Sequence, residues 1–267
     1  MKIEQAKQIA TKAIEELSQA LEAGHSEKLR EYLGAMARFH RYSWHNVMLI
    51  ASQRPDATHV TGFNTWKELG RFVKKGAKGI MILAPIVHKK TKEGASEEEQ
   101  TQTAAGFRAV YVFDHSDTDG KPLAELSSAE GDPSGYTEKL KQFVAQRGIQ
   151  LEYSDAIYPA QGQYFDGKIT LLPGQSAAEE FNTLAHEIAH GMLHTTDRRA
   201  ETTKTVRETE AEAVAFVVCD AIGLKANNSA NYIHLYSGNK ETLAASLECI
   251  QHASAEILAA ITPTEIH

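Results

Sequence analysis

His186-Glu187-Ile188-Ala189-His190, inside the run FNTLAHEIAHGMLH, sets two imidazoles four residues apart with a carboxylate between them. Four residues is about one helical turn, so both rings can reach a single tetrahedral ion while Glu187 leans over the position left open. HExxH in this form is the pattern of a metal-dependent hydrolase, and it requires a third ligand. Downstream, RETEAEAVAFVVCDAIGL reads as a second helix ending near Gly223. At about 100° per residue, Glu208 and Glu212 fall about 40° apart on the face that carries Ala211, Ala215, Val218 and Ile222, whereas Glu210 falls about 160° from Glu208 and reads as solvent-facing. Carboxylates on a core face need partners, which two neutral imidazoles and a cation would supply. The plainer alternative is a surface helix with a charge-rich start.

HExxH followed 18 residues later by Glu-x-x-x-Glu resembles the gluzincin layout. That resemblance implies Glu208 as the third ligand beside His186 and His190, and Glu212 as the acid behind one ligating ring, fixing its tautomer. His194 continues the same stripe and reads as a supporting or core histidine, because a catalytic ion keeps one position for water. The reaction implied is amide hydrolysis, with Glu187 as the general base that takes a proton from water and returns it to the departing amine. Two imidazoles and a carboxylate favour Zn2+, with Mn2+ as the alternative. No oxyanion donor is identifiable; Tyr232, His234 and Tyr236 are candidates only because they can donate and follow the ligand helix.

The chain has 267 residues, 42% of them hydrophobic, enough for one large or two modest cores. It holds no apolar run long enough to span a membrane, and its N-terminus is an amphipathic pattern without the apolar stretch of a signal peptide. With Cys219 and Cys249 alone it is no disulfide scaffold, so the expected setting is the cytoplasm. Cys219 lies about 16 Å along the helix from Glu208, too far for the same ion, and reads as core. The net charge of −7 hides an asymmetry: residues 41–92 carry ten basic and two acidic side chains, and 125–267 carry ten basic and twenty acidic. A strongly basic block in an acidic protein is an electrostatic footprint for a polyanion, most commonly nucleic acid.

Two breaks organise the chain. KKTKEGASEEEQTQTAAG (89–106) reads as a long hairpin loop between the strands GIMILAPIV and FRAVYVFD, and DTDGKPLAELSSAEGDPSG (117–135) as a linker. The expected fold is therefore α+β in two domains, 1–125 and 126–267. In the first, helices near 3–22, 26–39 and 43–53 precede a strand at 58–62, a short helix at 64–73 and the two named strands. In the second, a helix near 134–147 and strands at 149–153, 160–165 and 167–172 lead into the HExxH helix, the Glu208 helix and a terminal helix at 239–261. Asp166-Gly167 turns the chain into GKITLL, which could form the edge strand beside which an extended peptide lies.

Several motifs carry a broader resemblance. SWHNVMLIASQRPDATHVTGFNTWKELGRFVKKGAKGIMILAP resembles the N-terminal single-stranded DNA-binding domain of ArdC-type antirestriction proteins, and FRAVYVFDHSDTDG the strand and turn that follow it there, with Asp117-Thr118-Asp119-Gly120 in place of a QTEG-like turn. HEIAHGMLH, RETEAEAVAFVV and ANYIHLYSGNKETLAASLECIQ resemble that family's C-terminal domain, a zincin-like (gluzincin) metallopeptidase domain similar to the ImmA/IrrE group. The likeness spans roughly residues 5–260 and implies a mobile-element protein that coats incoming single-stranded DNA. The residues agree with it: Tyr42, Trp44, Phe63 and Trp66 could stack bases, interleaved with Arg41, Arg54, Lys67, Arg71, Lys74, Lys75 and Lys78 for phosphates. Trp44 and Trp66 also fit core positions, and the turn KKGAKG fits either a phosphate site or a solvated hairpin tip. Two other functions stay open: a DNA-responsive peptidase that cleaves a regulatory protein, and a DNA-binding protein whose metal site is structural.

Overall fold

Apolar spacings of three and four give the N-terminal segment three helices, α1 (Lys2–Glu22), α2 (Glu27–Arg38) and α3 (Trp44–Gln53). A computed structural model of the chain describes residues 2–89, 102–121, 133–194, 196–225 and 240–262. The chain gathers into two compact units, Met1–Ala13 with Met48–Pro122, and Ile14–Val47 with Leu123–His267. Helices α1 and α3 each begin in one unit and end in the other. Among the described residues no helix is long and apolar enough to cross a membrane.

The first unit contains β1 (Val60–Gly62), α4 (Phe63–Glu68), β2 (Arg71–Val73), β3 (Ile80–Lys89), β4 (Gln102–Asp114) and β5 (Thr118–Gly120). Three strands pair antiparallel in the order β1-β4-β3, and β2 pairs with β5 as a separate two-stranded ribbon. Met81, Leu83 and Ala109 share one face of the sheet and pack against Ala6, Ile9, Ala10 and Leu49. Buried Asp114 closes the sheet's end: one carboxylate oxygen accepts the backbone N–H groups of Thr58 (2.7 Å) and His59 (3.1 Å), and the other accepts Ser116 N–H (3.0 Å).

Two expectations change here. The helix anticipated over 64–73 ends at Glu68, because Gly70 turns the backbone to φ +74° and the next three residues enter a strand. That strand finds its partner in Thr118–Gly120, the start of the supposed linker. The ribbon closes tightly: a Cβ on Gly120, at φ +137°, would lie 2.4 Å from the Gly70 carbonyl oxygen. The proposed loop at 89–106 and the rest of the linker fall largely on 90–101 and 122–132, outside the described residues.

The second unit adds α5 (Ser134–Gln146), β6 (Gln150–Tyr153), β7 (Gly162–Phe165), β8 (Lys168–Leu171), α6 (Ala177–Leu193), α7 (Thr196–Glu201), α8 (Lys204–Ala221) and α9 (Lys240–Ile261). The sheet order is β6-β8-β7, with β6 parallel and β7 antiparallel to β8. Asp166 (φ 47°) and Gly167 (φ 73°) make the β7–β8 hairpin turn, the left-handed pair that matches strand twist. GKITLL is thus the central strand rather than the expected edge; the edges are β6 and β7. Helix α8 is the hub, touched by α2, α6 and α9. Because α2 buries its Leu29, Tyr32, Leu33 and Met36 stripe in this unit, residues 14–47 group with the C-terminal part, a departure from a single boundary near residue 125.

The ribbon supplies the first test. Gly120→Ala should lower unfolding stability by about 2 kcal/mol, since it combines a strained backbone with a backbone clash. Gly135→Ala, at a helical site with open space, should leave it unchanged or slightly raised. Urea denaturation of both variants, followed by circular dichroism, reads the difference.

Candidate functional site

Helix α6 starts where Ser176 and Glu179 cap each other: Ser176 Oγ accepts from Glu179 N–H at 3.3 Å, and Glu179 Oε2 accepts from Ser176 N–H at 3.0 Å. Its apolar side, Phe181, Leu184, Ala185, Ile188 and Ala189, is buried, which sets the helix's rotation and turns His186 and His190 toward α8. The two rings lie one turn apart with their Nε2 atoms 3.0 Å from each other. Glu208 Oε2 reaches both, at 3.5 Å from His186 Nε2 and 3.4 Å from His190 Nε2. Ligand atoms of these three residues all fall within 4.8 Å of one another, a spacing that could hold a metal ion.

The surrounding hydrogen bonds decide where protons sit. Glu212 Oε2 lies 3.1 Å from His186 Nδ1, and a carboxylate can only accept, so the ring donates there and the nitrogen that gains or loses the second proton is Nε2, facing His190. Burial opposes a charge on His186, yet hydrogen bonds to Glu208 and Glu212 carry its pKa up to about 9. Bonds from His186 and His190 hold the Glu208 carboxyl far below the ordinary range. Two imidazole lone pairs converging beside a carboxylate form a donor set that a cation satisfies.

Glu187 is buried on the same helix, and burial raises its pKa against the pull of His186 and His190. Edge strand β7 passes directly over it. Tyr164 donates its backbone N–H to the Glu187 carboxylate, and Gly162 lies so close that a Cβ there would stand 2.6 Å from Thr183 Cγ2 and 2.8 Å from Glu187 Oε1. The Tyr164 ring in turn fills the space above Gly191. Neither glycine was singled out from the sequence.

Glu210 corrects the sequence reading. Instead of facing solvent it is fully buried: its carboxylate accepts from Ser246 Oγ at 2.6 Å, pairs with Arg198, and meets His194 Nε2 at 3.1 Å. Burial opposes its ionisation, and the bonds from His194, Ser246 and Arg198 outweigh that and lower its pKa. The helical wheel failed because α8 is buried on several sides. The signal was legible in AVAFVVC, an apolar run with no wet face. Conversely, Glu208 sits before that run, with its side chain 49% exposed rather than core-facing. His194 is buried, which lowers its pKa, and its Nδ1 is 2.8 Å from His190 Nδ1. Cys219 is core as expected. Tyr232, His234 and Tyr236 lie outside the described residues.

The residues expected to touch nucleic acid are dispersed. Arg41, Tyr42 and Trp44 belong to the second unit, and Trp44 is buried. In the first unit Trp66 is core, 2% exposed, with its indole N–H on the Phe113 carbonyl at 2.9 Å. Arg71 is buried too, bonding Thr118 Oγ1 (2.7 Å), Thr118 O (3.0 Å) and the Lys121 carbonyl. Arg54 is engaged with Asp117 and Ser116. Phe63 and Lys67 stand exposed one turn apart on α4, and Lys74, Lys75 and Lys78 are exposed in the turn after β2. Phe72, 61% exposed on β2 beside that turn, was missed by the sequence reading. Its signal was the alternation in Arg71-Phe72-Val73, which turns one side chain outward when its neighbour is buried.

Residues 4–113 match the family model described as the N-terminal domain of anti-restriction factor ArdC. The metal-free crystal structure of antirestriction ArdC protein from the R388 plasmid shares the fold at a TM-score of 0.55, with 21% identity over 94% of this chain and 96% of that one. Residues 4–113 thus belong to the ArdC N-terminal domain family. A second ArdC structure from the same plasmid, described as Mn(II)-bound, aligns with 96% of this chain and 99% of its own length, at a TM-score of 0.54 and 20% identity. An uncharacterized protein of Bacillus anthracis is 23% identical over 90% of the chain, which spans about half (48%) of that relative's length.

The charge state of His186 gives the site a testable pH dependence. Below about pH 9 a cation entering the site must displace the proton that His186 holds. Its affinity should therefore rise by about tenfold per pH unit between about pH 7 and 9 and flatten above. Glu208, already ionised, adds no step in that range. Chelator competition across the interval measures the slope, and a flat profile would show that no ring proton is displaced.

Proposed function

We propose that this ArdC-type chain is an antirestriction protein that binds single-stranded DNA through its first unit and carries in its second a zincin-like, gluzincin-type metallopeptidase site. The observation carrying the second part is the convergence of His186, His190 and Glu208 with a buried carboxylate, Glu187, on the same helix. We assign these three residues to a divalent ion, zinc by the chemistry of the donors, with Mn(II) as the alternative suggested by the R388 ArdC structure. When bound, the ion would polarise the substrate carbonyl and acidify a water. Glu187 would take that water's proton and return it to the amine nitrogen as the peptide bond breaks, a task suited to a carboxyl whose pKa is raised by burial. The Tyr164 N–H fixes the carboxylate's direction. The outer side of edge strand β7 would pair with an extended peptide laid across the site. A cytoplasmic location accords with this reading.

Family membership of residues 4–113 supports the first part. The surface that suits a single strand combines Phe63 and Phe72 as stacking faces with Lys67, Lys74, Lys75 and Lys78 as phosphate partners.

For the peptidase site, Glu208→Ala should abolish stoichiometric metal binding, read by elemental analysis. Glu187→Gln should keep the ion while hydrolysis of an unstructured protein such as casein falls by about 100-fold or more. Turnover unchanged in Glu187→Gln would remove that residue from the mechanism.

For the DNA surface, Phe63→Ala and Phe72→Ala should each weaken binding of a labelled oligonucleotide by about 1–3 kcal/mol in fluorescence anisotropy. Replacing Lys74, Lys75 and Lys78 together by Ala should weaken binding for every sequence and flatten the salt dependence by about 0.7 per lost phosphate contact. Trp66→Ala should lower stability instead, because its ring is core. Normal affinity in both Phe variants would place the stacking surface elsewhere.

A further inference from the structure

Behind His190 lies a second chain of hydrogen bonds, independent of the Glu212 contact to His186. His190 Nδ1 is 2.8 Å from His194 Nδ1, His194 Nε2 is 3.1 Å from Glu210 Oε2, and the other oxygen of Glu210 takes the Ser246 hydroxyl at 2.6 Å and the Arg198 guanidinium. His194 and Glu210 are both buried, and α6, α7, α8 and α9 each contribute one member or more.

Donor and acceptor rules fix the protons between Glu210 and His190. Glu210 is paired with arginine and accepts from serine, so it is an ionised acceptor with no proton to give. The His194 Nε2 facing it must therefore carry hydrogen. A buried ring is held neutral by the desolvation a charge would suffer, so the second nitrogen of His194, Nδ1, is a bare acceptor. His190 Nδ1 must then be the donor across the 2.8 Å contact, and once the ring is neutral, as binding a cation requires, that assignment leaves His190 Nε2 without hydrogen, pointing at His186 Nε2 and Glu208. Reversing every proton would set the His194 Nε2 lone pair against the carboxylate and place hydrogen on the one atom that a cation needs.

We infer that Glu210 is a positioning residue which, acting through His194, locks His190 into the tautomer that presents its Nε2 lone pair at the candidate metal site. The assignment rests on the reading of His186, His190 and Glu208 as metal ligands, and it deepens that reading. The two rings of the HExxH motif are thereby oriented differently: His186 directly by Glu212, and His190 at one remove, through a second imidazole, by Glu210.

Long-range proton–nitrogen NMR on the full, metal-free chain tests the proton placement. His194 should be protonated at Nε2. In Glu210→Gln the amide can either donate or accept, so His194 should populate both tautomers. Chelator competition with Zn2+ or Mn2+ tests the consequence. Affinity should fall by about 10–100-fold in Glu210→Gln, the usual effect of losing a partner behind a ligand. His194→Gln, whose amide oxygen can still accept from His190, should lie nearer the wild type than His194→Phe, which cannot accept; this comparison carries the test should Glu210→Gln not fold. A His194 protonated at Nδ1 in the wild type, or equal affinity in wild type, Glu210→Gln and His194→Phe, overturns the inference alone. A wild-type chain that takes up neither ion overturns the metal reading and this inference with it.

Discussion

Two imidazole nitrogens 3.0 Å apart, with a carboxylate at 3.4–3.5 Å, form an arrangement that positive charge between them stabilises. Much of the second unit serves to hold them there. The capping box starts α6 at a fixed residue, its buried apolar side fixes the rotation, and α8 brings Glu208 and Glu212 up from the facing side. With no ion, a proton on His186 fills the gap, and its bonds to Glu208 and Glu212 are why His186 holds its charge well above neutrality despite its burial. The same demand explains the two acids behind the rings, partly exposed Glu212 and buried Glu210, each of which directs a proton away from the point of convergence.

The first unit solves a different problem. A basic surface must be presented without its charges repelling the fold apart, and the ribbon of β2 and β5 manages this by taking one cation inside. Arg71 is buried and saturated by Thr118 and the Lys121 carbonyl, so it fixes the ribbon rather than contacting a ligand. The exposed lysines then follow from a rigid strand into a turn at Gly76, with Phe72 beside them. Aromatic rings on such a platform stack bases with little loss of entropy, which rings on a mobile loop would not.

Much of this was legible in the sequence, for identifiable reasons. Long helices with clear periodicity, such as α2, α6 and α9, and the β7–β8 hairpin with its Asp-Gly turn, followed from local rules. His186, Glu187 and His190 stood out by spacing, and the partnership of Glu208 and Glu212 with the rings followed from that spacing together with the gluzincin resemblance. What failed depended on tertiary context. A helical wheel assumes one wet face, and α8 has none along its central run, so Glu210 was misplaced. Arg71 and Trp66 look like ligand-binding types in composition, but a β pairing with residues nearly fifty positions away buries the first and a carbonyl of β4 takes the indole of the second. The edge strand was misassigned because sheet order, unlike strand existence, is set by the parallel pairing of β6 with β8. The grouping of residues 14–47 with the C-terminal unit had no local signal at all, because it depends on the surface that α2 meets on α8.

The half-exposed position of Glu208 has a consequence for how the site would be filled. Of the three converging residues it alone stands at the wet end of its helix, one turn before α8 becomes dry, so the approach to the rings runs past a hydrated carboxylate and needs no breach of the core. An ion could reach the rings by that route without any opening of the core, with the buried Glu210 and His194 holding their places meanwhile. Occupancy of such a centre follows the free metal concentration around the protein rather than the history of its folding. The chain would thus be complete in fold before the site is filled, and would acquire its chemistry from the ions around it.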